Sequence, residues 1–238
     1  DADMGLSSHS YPTTAAEASA AIPGATLTHG WLCDELSGDM VPAFGADTLV
    51  ASGTGLIYGE PGPRGGRDRA LGFTTGAATG KFSAGAAALF DIAANTDELV
   101  VAWVGTWIAL PTAFGAICGK ASAAFANGWA IGGTNGAALS LGLGPGDTFG
   151  ANIAGTSGFL VGLPHVGIAV IDRSGTDTAR IGVRALGGSS SIVSSGATGI
   201  NGNAASTASI FTIGRGDWVS GNDNFRLAAL YVGKGTGV

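Results

Sequence analysis

Charged side chains are scarce in this sequence, since Asp, Glu, Lys and Arg together make up 12% of its 238 residues. The 11 Lys and Arg are scattered along the chain and are outnumbered by 17 Asp and Glu, so the formal net charge is −6. A protein that binds nucleic acid needs clustered cations to neutralise phosphates. The composition therefore excludes nucleic acid as an expected partner.

Long apolar runs are also lacking. The segment "ELVVAWVGTWIAL", from Glu98 to Leu110, is shorter than the roughly 18 to 20 residues that span a bilayer. It is typical of one or two core strands, so we expect no membrane insertion. The sequence opens without a basic stretch followed by an apolar one, and we therefore expect any signal peptide to be absent or already removed.

Cysteine and histidine are rare. Two isolated cysteines, Cys33 and Cys118, do not make a disulfide scaffold, and the sequence leaves open whether they pair or lie buried as free thiols. The three histidines are far apart, and neither a CxxC nor an HxxxH spacing occurs. A zinc site has no support, and no cofactor is expected.

Glycine is abundant, with 43 residues, and it separates short apolar runs from Leu27 onward. The stretch "VGIAVIDRSGTDTARIGVR", Val166 to Arg184, places two such runs around a polar turn with Gly175 at its centre. In its second run, Ile181 and Val183 share one face, as a half-buried antiparallel strand requires. Repeated at strand spacing, as again in the candidate strand "AALFDI" at 87–92, this pattern predicts an all-β, two-sheet antiparallel sandwich.

Residues 1–28 differ in composition from the remainder of the chain. They are rich in Ala, Ser and Thr and carry no clean period. The segment "AAEASAA", Ala15 to Ala21, can form one or two helical turns that Pro23 and Gly24 end, and so short a helix is marginal unless it packs. We interpret 1–28 as an N-terminal arm that orders on a partner surface, and 29–238 as one domain.

The order of the segments resembles that of the laminin-G-like, concanavalin-A-like jelly-roll family. The resemblance rests on "HGWLCDELSGDMVPAFGADTLVASGTG", "FDIAANTDELVVAWVGTW", "ICGKASAAFANGWAIGGTNGAALSLGL" and "FTIGRGDWVSGNDNFRLAALYVGKG". Together with the Val166–Arg184 hairpin, these segments cover about residues 27–235. The resemblance implies a jelly-roll sandwich of twelve to fourteen strands that binds glycans or proteins and, in some members, hydrolyses glycosides.

Catalysis is not expected. Laminarinase-like relatives place paired carboxylates as E-x-D-x-x-E on one strand, and this pattern is absent here. The nearest acidic cluster, Asp34, Glu35 and Asp39, is interpreted as a turn around Gly38. There is no G-x-S-x-G motif either, and His165 is most simply a polar residue at a strand entrance. The sequence predicts a protein that is not an enzyme.

Candidate binding residues are exposed aromatic side chains and oxygen-rich loops. Trp103 and Trp107 lie in an apolar run and are expected in the core, whereas Trp218 is the best candidate for an exposed, sugar-stacking side chain. Calcium, which family members often bind at one rim of the sandwich, is an alternative to the absence of a cofactor, with oxygens offered at 145–147, 175–178 and 222–224.

Two basic features are interpreted as structural rather than as binding sites. Three arginines in a glycine-rich segment form a local basic site that we interpret as a solvated loop: Arg64, Arg67 and Arg69. The tripeptide Arg215–Asp217 spells RGD, and we interpret it as an ordinary turn after a strand.

The sequence thus predicts a non-enzymatic structural or interaction module. The first hypothesis is a bacteriophage capsid decoration (cement) protein or another virion surface protein, present as a homo-oligomer or in repeated copies on a capsid shell. The alternative is a secreted or cell-surface lectin-like domain that binds glycans. The corresponding locations are the virion and the extracellular space or cell surface.

Overall fold

The computed structural model describes residues 11–63, 68–73, 79–85, 89–92, 97–111, 113–122, 127–133, 138–144, 153–157, 161–174, 178–186, 193–198, 209–216 and 224–235. Its helix is α1 (Ala15–Ala21). The strands are β1 (Ala25–Trp31), β2 (Pro42–Phe44), β3 (Val50–Ser52), β4 (Leu56–Pro61), β5 (Arg69–Phe73), β6 (Lys81–Ser83), β7 (Glu98–Trp107), β8 (Gly115–Ala121), β9 (Gly128–Gly133), β10 (Ala138–Leu143), β11 (Ile153–Ser157), β12 (Pro164–Asp172), β13 (Thr178–Ala185), β14 (Val193–Thr198), β15 (Thr212–Gly214) and β16 (Phe225–Gly235).

The strands form two antiparallel sheets. The larger sheet has nine strands in the order β14-β13-β12-β7-β16-β1-β2, with β5 also paired to β16 and β4 to β5. The smaller sheet has seven strands in the order β11-β10-β9-β8-β15-β6-β3. The sheets pack face to face around a common apolar core, which is the arrangement of a sandwich. The predicted fold class, an all-β jelly-roll sandwich, is confirmed.

The core between the sheets is rich in aromatic side chains. Four tryptophans are completely buried: Trp31, Trp103, Trp107 and Trp129. The expectation that Trp103 and Trp107 belong to the core is confirmed. Both cysteines are buried free thiols, because Cys33 and Cys118 are not bonded to each other.

The predicted Val166–Arg184 hairpin is present. Strands β12 and β13 pair from His165 opposite Ala185 to Asp172 opposite Thr178. Ile181 and Val183 are buried, whereas Arg184 on the opposite face is exposed. The alternation in the sequence therefore predicts correctly which side chains enter the core.

One predicted strand is wrong. The apolar run "AALFDI" suggested a strand at 87–92, but the described part of it, residues 89–92, is a turn and an irregular segment. Phe90 has a φ of 60°, which is incompatible with extended backbone. Its ring instead packs edge-on against Phe211, with ring centroids 4.9 Å apart, so the apolar residues of this run fill the core from a loop.

The segment interpreted as an arm is ordered on the sandwich from residue 11 onward. Helix α1 begins after Thr14, whose hydroxyl accepts a hydrogen bond from the Glu17 amide in a capping box. It ends at Ala21, just before the predicted stop at Pro23 and Gly24. The helix packs against β1. Strand β1 itself crosses the boundary drawn between residues 28 and 29, because Ala25 already pairs with Gly235 of β16. The division into arm and domain stays a prediction.

Candidate functional site

The central strand of the larger sheet is apolar on both faces. On β7, Leu99, Val101 and Trp103 enter the core between the sheets. The alternate residues Val100, Ala102 and Val104 form a second apolar cluster on the outer face of the sheet. A sheet face made of apolar side chains is normally buried. The sequence "LVVAWV", residues 99–104, therefore predicts that another element covers the outer face of the sheet.

The covering element is the N-terminal segment. Ala18 of α1 is 1% exposed and Leu27 is 2% exposed, and both belong to the outer-face cluster. The hydroxyl of Ser19 accepts a hydrogen bond of 2.9 Å from the Leu27 amide. The helix is therefore attached to the strand that follows it by both apolar packing and a polar bond.

Two tyrosines hold the start of this segment in place. The hydroxyl of Tyr231, on β16, donates to the carbonyl of Pro12 at 3.0 Å. The hydroxyl of Tyr11 donates to the Asp68 carboxylate, also at 3.0 Å. The Tyr231 ring stacks on Phe44 at a centroid distance of 6.0 Å. Each tyrosine thus packs its ring against apolar neighbours and satisfies its hydroxyl.

An open groove of about 240 Å³ lies between α1 and the sheet. One wall is formed by Ala18, Ala21 and Ile22 of the helix segment, and Val104 and Val166 of the sheet lie opposite. Val166 is 37% exposed, so the covering of the outer face is incomplete at β12. We call these residues, with Leu186 beyond them, the outer groove.

A second arrangement lies at the edge of the core, around His29. The Nε2 atom of His29 is 2.8 Å from the Asp47 carboxylate, and its Nδ1 atom is 2.9 Å from the Thr28 hydroxyl. A β-bulge between Leu27 and His29 brings these neighbouring side chains together. No sequence motif predicted this arrangement of hydroxyl, imidazole and carboxylate, which we call the His29 line.

The contacts of the His29 line are structural. The ring stacks on Trp31 at a centroid distance of 5.8 Å and meets the edge of Phe90 at 5.0 Å. The backbone carbonyl of Asp47 also accepts the Trp31 indole N–H at 3.0 Å. These contacts fasten β1 to the loop after β2.

Two carboxylates of the acidic cluster that was interpreted as a turn accept hydrogen bonds from backbone amides. The Glu35 carboxylate accepts the Val41 amide, and the Asp39 carboxylate accepts the Ala51 amide, each at 2.9 Å. Burial raises the pKa of the Glu35 carboxyl. The segment that holds Asp34 and Glu35 is irregular, and bends follow it at 36–39.

A buried ion pair escaped the sequence reasoning. The Nζ atom of Lys120, on β8, is 3.0 Å from the Asp91 carboxylate, and the lysine side chain is completely buried. No sequence spacing connects these residues, which are brought together when the loop at Phe90 folds over β8. The pair fixes that loop to the smaller sheet.

His165 is the second residue of β12, at the predicted strand entrance, and its side chain is buried. It lies within β12, is 2% exposed, and its Nε2 atom lies 3.4 Å from the Trp103 indole nitrogen. Since an indole N–H only donates, this imidazole nitrogen accepts. Burial lowers the pKa of His165 to about 4.

Several candidate residues lie outside the described residues. These are Trp218, Arg64 and Arg67, most of the 175–178 turn, and all of 145–147. In the described part of the chain, no group of three His, Cys, Asp or Glu side chains is placed to hold a metal. A search of the same residues finds no helix of the length and hydropathy that a membrane span requires.

Comparison with known proteins bears on the fold. No protein-family model and no curated protein sequence matches the chain. Among solved structures, it is similar to Trypanosoma rangeli sialidase in complex with sialic acid, with 13% identity and a TM-score of 0.56, over 96% of this chain and 34% of that one. It is also similar to the binding domain of botulinum neurotoxin DC in complex with rat synaptotagmin II, with 11% identity and a TM-score of 0.50, over 88% of this chain and 48% of that one.

These similarities concern architecture. The chain spans about a third of the length of the sialidase and about half of that of the toxin domain. At such identities, the shared feature is the β-sandwich itself, and fold does not settle function.

Proposed function

We propose that this chain is a non-enzymatic interaction module that attaches to a protein assembly through the outer face of its larger sheet. The observation that carries the proposal is the outer groove, where Val166 and Leu186 leave an apolar surface only partly covered by α1. Apolar surface of this kind, bordered by polar residues, is typical of protein interaction sites. The carboxylates of Glu35 and Asp39 are engaged with backbone amides, which favours a structural role for them.

Within this class, we propose decoration of a virus capsid, and therefore location on the virion. A shell offers the same surface in many copies, so that modest contacts of each copy add up through multivalency. The low proportion of charged residues suits a protein that contacts neighbours over an extended surface.

A glycan-binding module is the second candidate. It is favoured by the similarity to a sialidase solved with sialic acid. Sugar binding commonly needs an exposed aromatic ring, and the described tryptophans are all buried. Trp218 is thus the residue on which this candidate depends.

The two candidates are separated by sedimentation of particles from the cells that produce the chain. We expect the protein to sediment with large particles, and Val166→Asp to reduce the bound fraction at least tenfold. Val50→Asp is the matched control, because Val50 is 52% exposed on the smaller sheet. If the protein stays in the soluble fraction and binds immobilised sialyllactose in a manner lost in Trp218→Ala, the glycan-binding candidate replaces the first.

A further inference from the structure

We propose that the outer groove takes one aromatic side chain of the partner, and that Arg184 binds a carboxylate next to it. This inference rests on the attachment function proposed above, and it specifies the chemistry of the partner: an acidic peptide segment with an aromatic anchor. The size, lining and charge of the groove each support it.

The size of the groove fits a side chain. Small-molecule sites commonly have volumes of roughly 300 to 1,000 Å³, whereas a cavity of roughly 150 Å³ holds a benzene. At about 240 Å³, the outer groove has room for a single ring. Aromatic anchors in such pockets dominate many protein interfaces.

The lining of the groove is apolar where the ring would lie. Ala102, Val104 and Val166 of the sheet line it, together with Ile22 after the helix. The hydroxyl groups of Tyr11 and Tyr231, which also line the groove, are engaged with Asp68 and Pro12. A ring can therefore enter without displacing a hydrogen bond.

Arg184 supplies the charge. It is exposed and pairs with Val166 across the β12–β13 ladder. Because directly paired residues of antiparallel strands have neighbouring side chains on one face, the Arg184 side chain begins beside the groove wall. It forms no ion pair with a described residue. This guanidinium beside an apolar groove favours a carboxylate partner.

The test uses N-acetyl-L-phenylalanine, which carries a ring and a carboxylate, and its uncharged amide as comparison. Methyl NMR spectra of the labelled protein report on Val104, Val166 and Leu186 during titration. We expect the acid to bind with a Kd on the order of 1 mM, as a ligand of this size allows. The amide, and the acid with Arg184→Gln, should bind roughly 2- to 5-fold more weakly.

Ala21→Trp fills the groove from the exposed end of α1 and should abolish the methyl shifts. Ala16→Trp is its matched control, since Ala16 is an exposed alanine of the same helix that does not line the groove, and it should bind like the wild type. Equal binding of acid and amide, or binding that survives Ala21→Trp, would overturn the proposal.

The failure of this inference can be told apart from failure of the proposed function. If Val166→Asp releases the protein from its particles but Ala21→Trp and Arg184→Gln do not, attachment stands and the aromatic anchor is refuted. If the acid binds as expected but the protein never sediments with particles, the chemistry of the groove stands and attachment is refuted.

Discussion

His165 should make the fold sensitive to acid. Its imidazole is buried in β12 and accepts a hydrogen bond from the Trp103 indole, so that protonation at Nε2 would both charge a buried ring and remove the acceptor. Burial holds the pKa of His165 at about 4 in the folded protein, below the value of about 6.5 for an unfolded chain. The unfolded state therefore binds the proton more readily.

The sign and size of the effect follow from these two pKa values. A lowered histidine pKa leaves stability unaffected above pH 6.5 and reduces it progressively as the pH falls toward the folded-state pKa of about 4. Between pH 7.5 and pH 5, proton linkage gives a loss of about 2 kcal/mol in the free energy of unfolding. Glu35 acts in the opposite direction, because a raised carboxyl pKa favours the folded state as the pH falls.

Urea unfolding at pH 7.5 and pH 5 measures the difference, and a variant isolates the contribution of His165 from that of Glu35. His165→Gln is neutral at both pH values and retains an acceptor, so it should lose about 2 kcal/mol less than the wild type over this interval. Ile181→Val is a control that lowers stability without changing a titrating group. If wild type and His165→Gln lose the same free energy, the imidazole is not buried in neutral form and the reasoning is refuted.

Three further predictions concern packing and charge, and each is measured by chemical denaturation. Gly167→Ala would place a Cβ atom against the Trp103 ring and should cost about 1 to 3 kcal/mol, whereas Gly85→Ala, with nothing within 4 Å, should change stability by less than about 0.5 kcal/mol. Leu27→Ala removes a side chain that is 2% exposed on the outer face and should cost about 2 to 5 kcal/mol; a smaller loss would mean that the N-terminal segment does not cover the sheet. Asp91→Asn should destabilise the fold more than Lys120→Met, since it leaves a buried ammonium without its counter-charge, and the reverse order would contradict this account of the pair.

The long strands could be predicted from the sequence because their periodicity extends over enough residues to be recognised. Strands β7, β12 and β16 each have nine or more residues, which is long enough for an apolar run or an alternation to be recognised. The three-residue strands β2, β3, β6 and β15 are too short to show a period of two, and they form because a neighbouring strand offers its edge.

The candidate site was predictable only in part. The sequence of β7 shows that both of its faces are apolar, and a strand of this kind favours a close neighbour or a partner on each face. It does not show that α1, about 80 residues earlier, supplies the cover. The contact between Ala18 and the outer face depends on tertiary structure, and no local pattern records it. The same holds for the Lys120–Asp91 pair.

The dimensions of the outer face explain why it remains open. A seven-residue helix is about 10 Å long and, with its side chains, about 10 to 12 Å wide, whereas the seven strands on the main path of the larger sheet span about 29 Å at about 4.8 Å per strand interval. Helix α1 can therefore cover only two or three strands, and it lies toward β1 and β16. On β12, Val170 is buried in the outer-face cluster, whereas Val166 remains 37% exposed. A longer helix would close the groove. Because the helix is short, apolar surface stays open there, and such a surface is suited to a partner protein that covers the remaining apolar side chains.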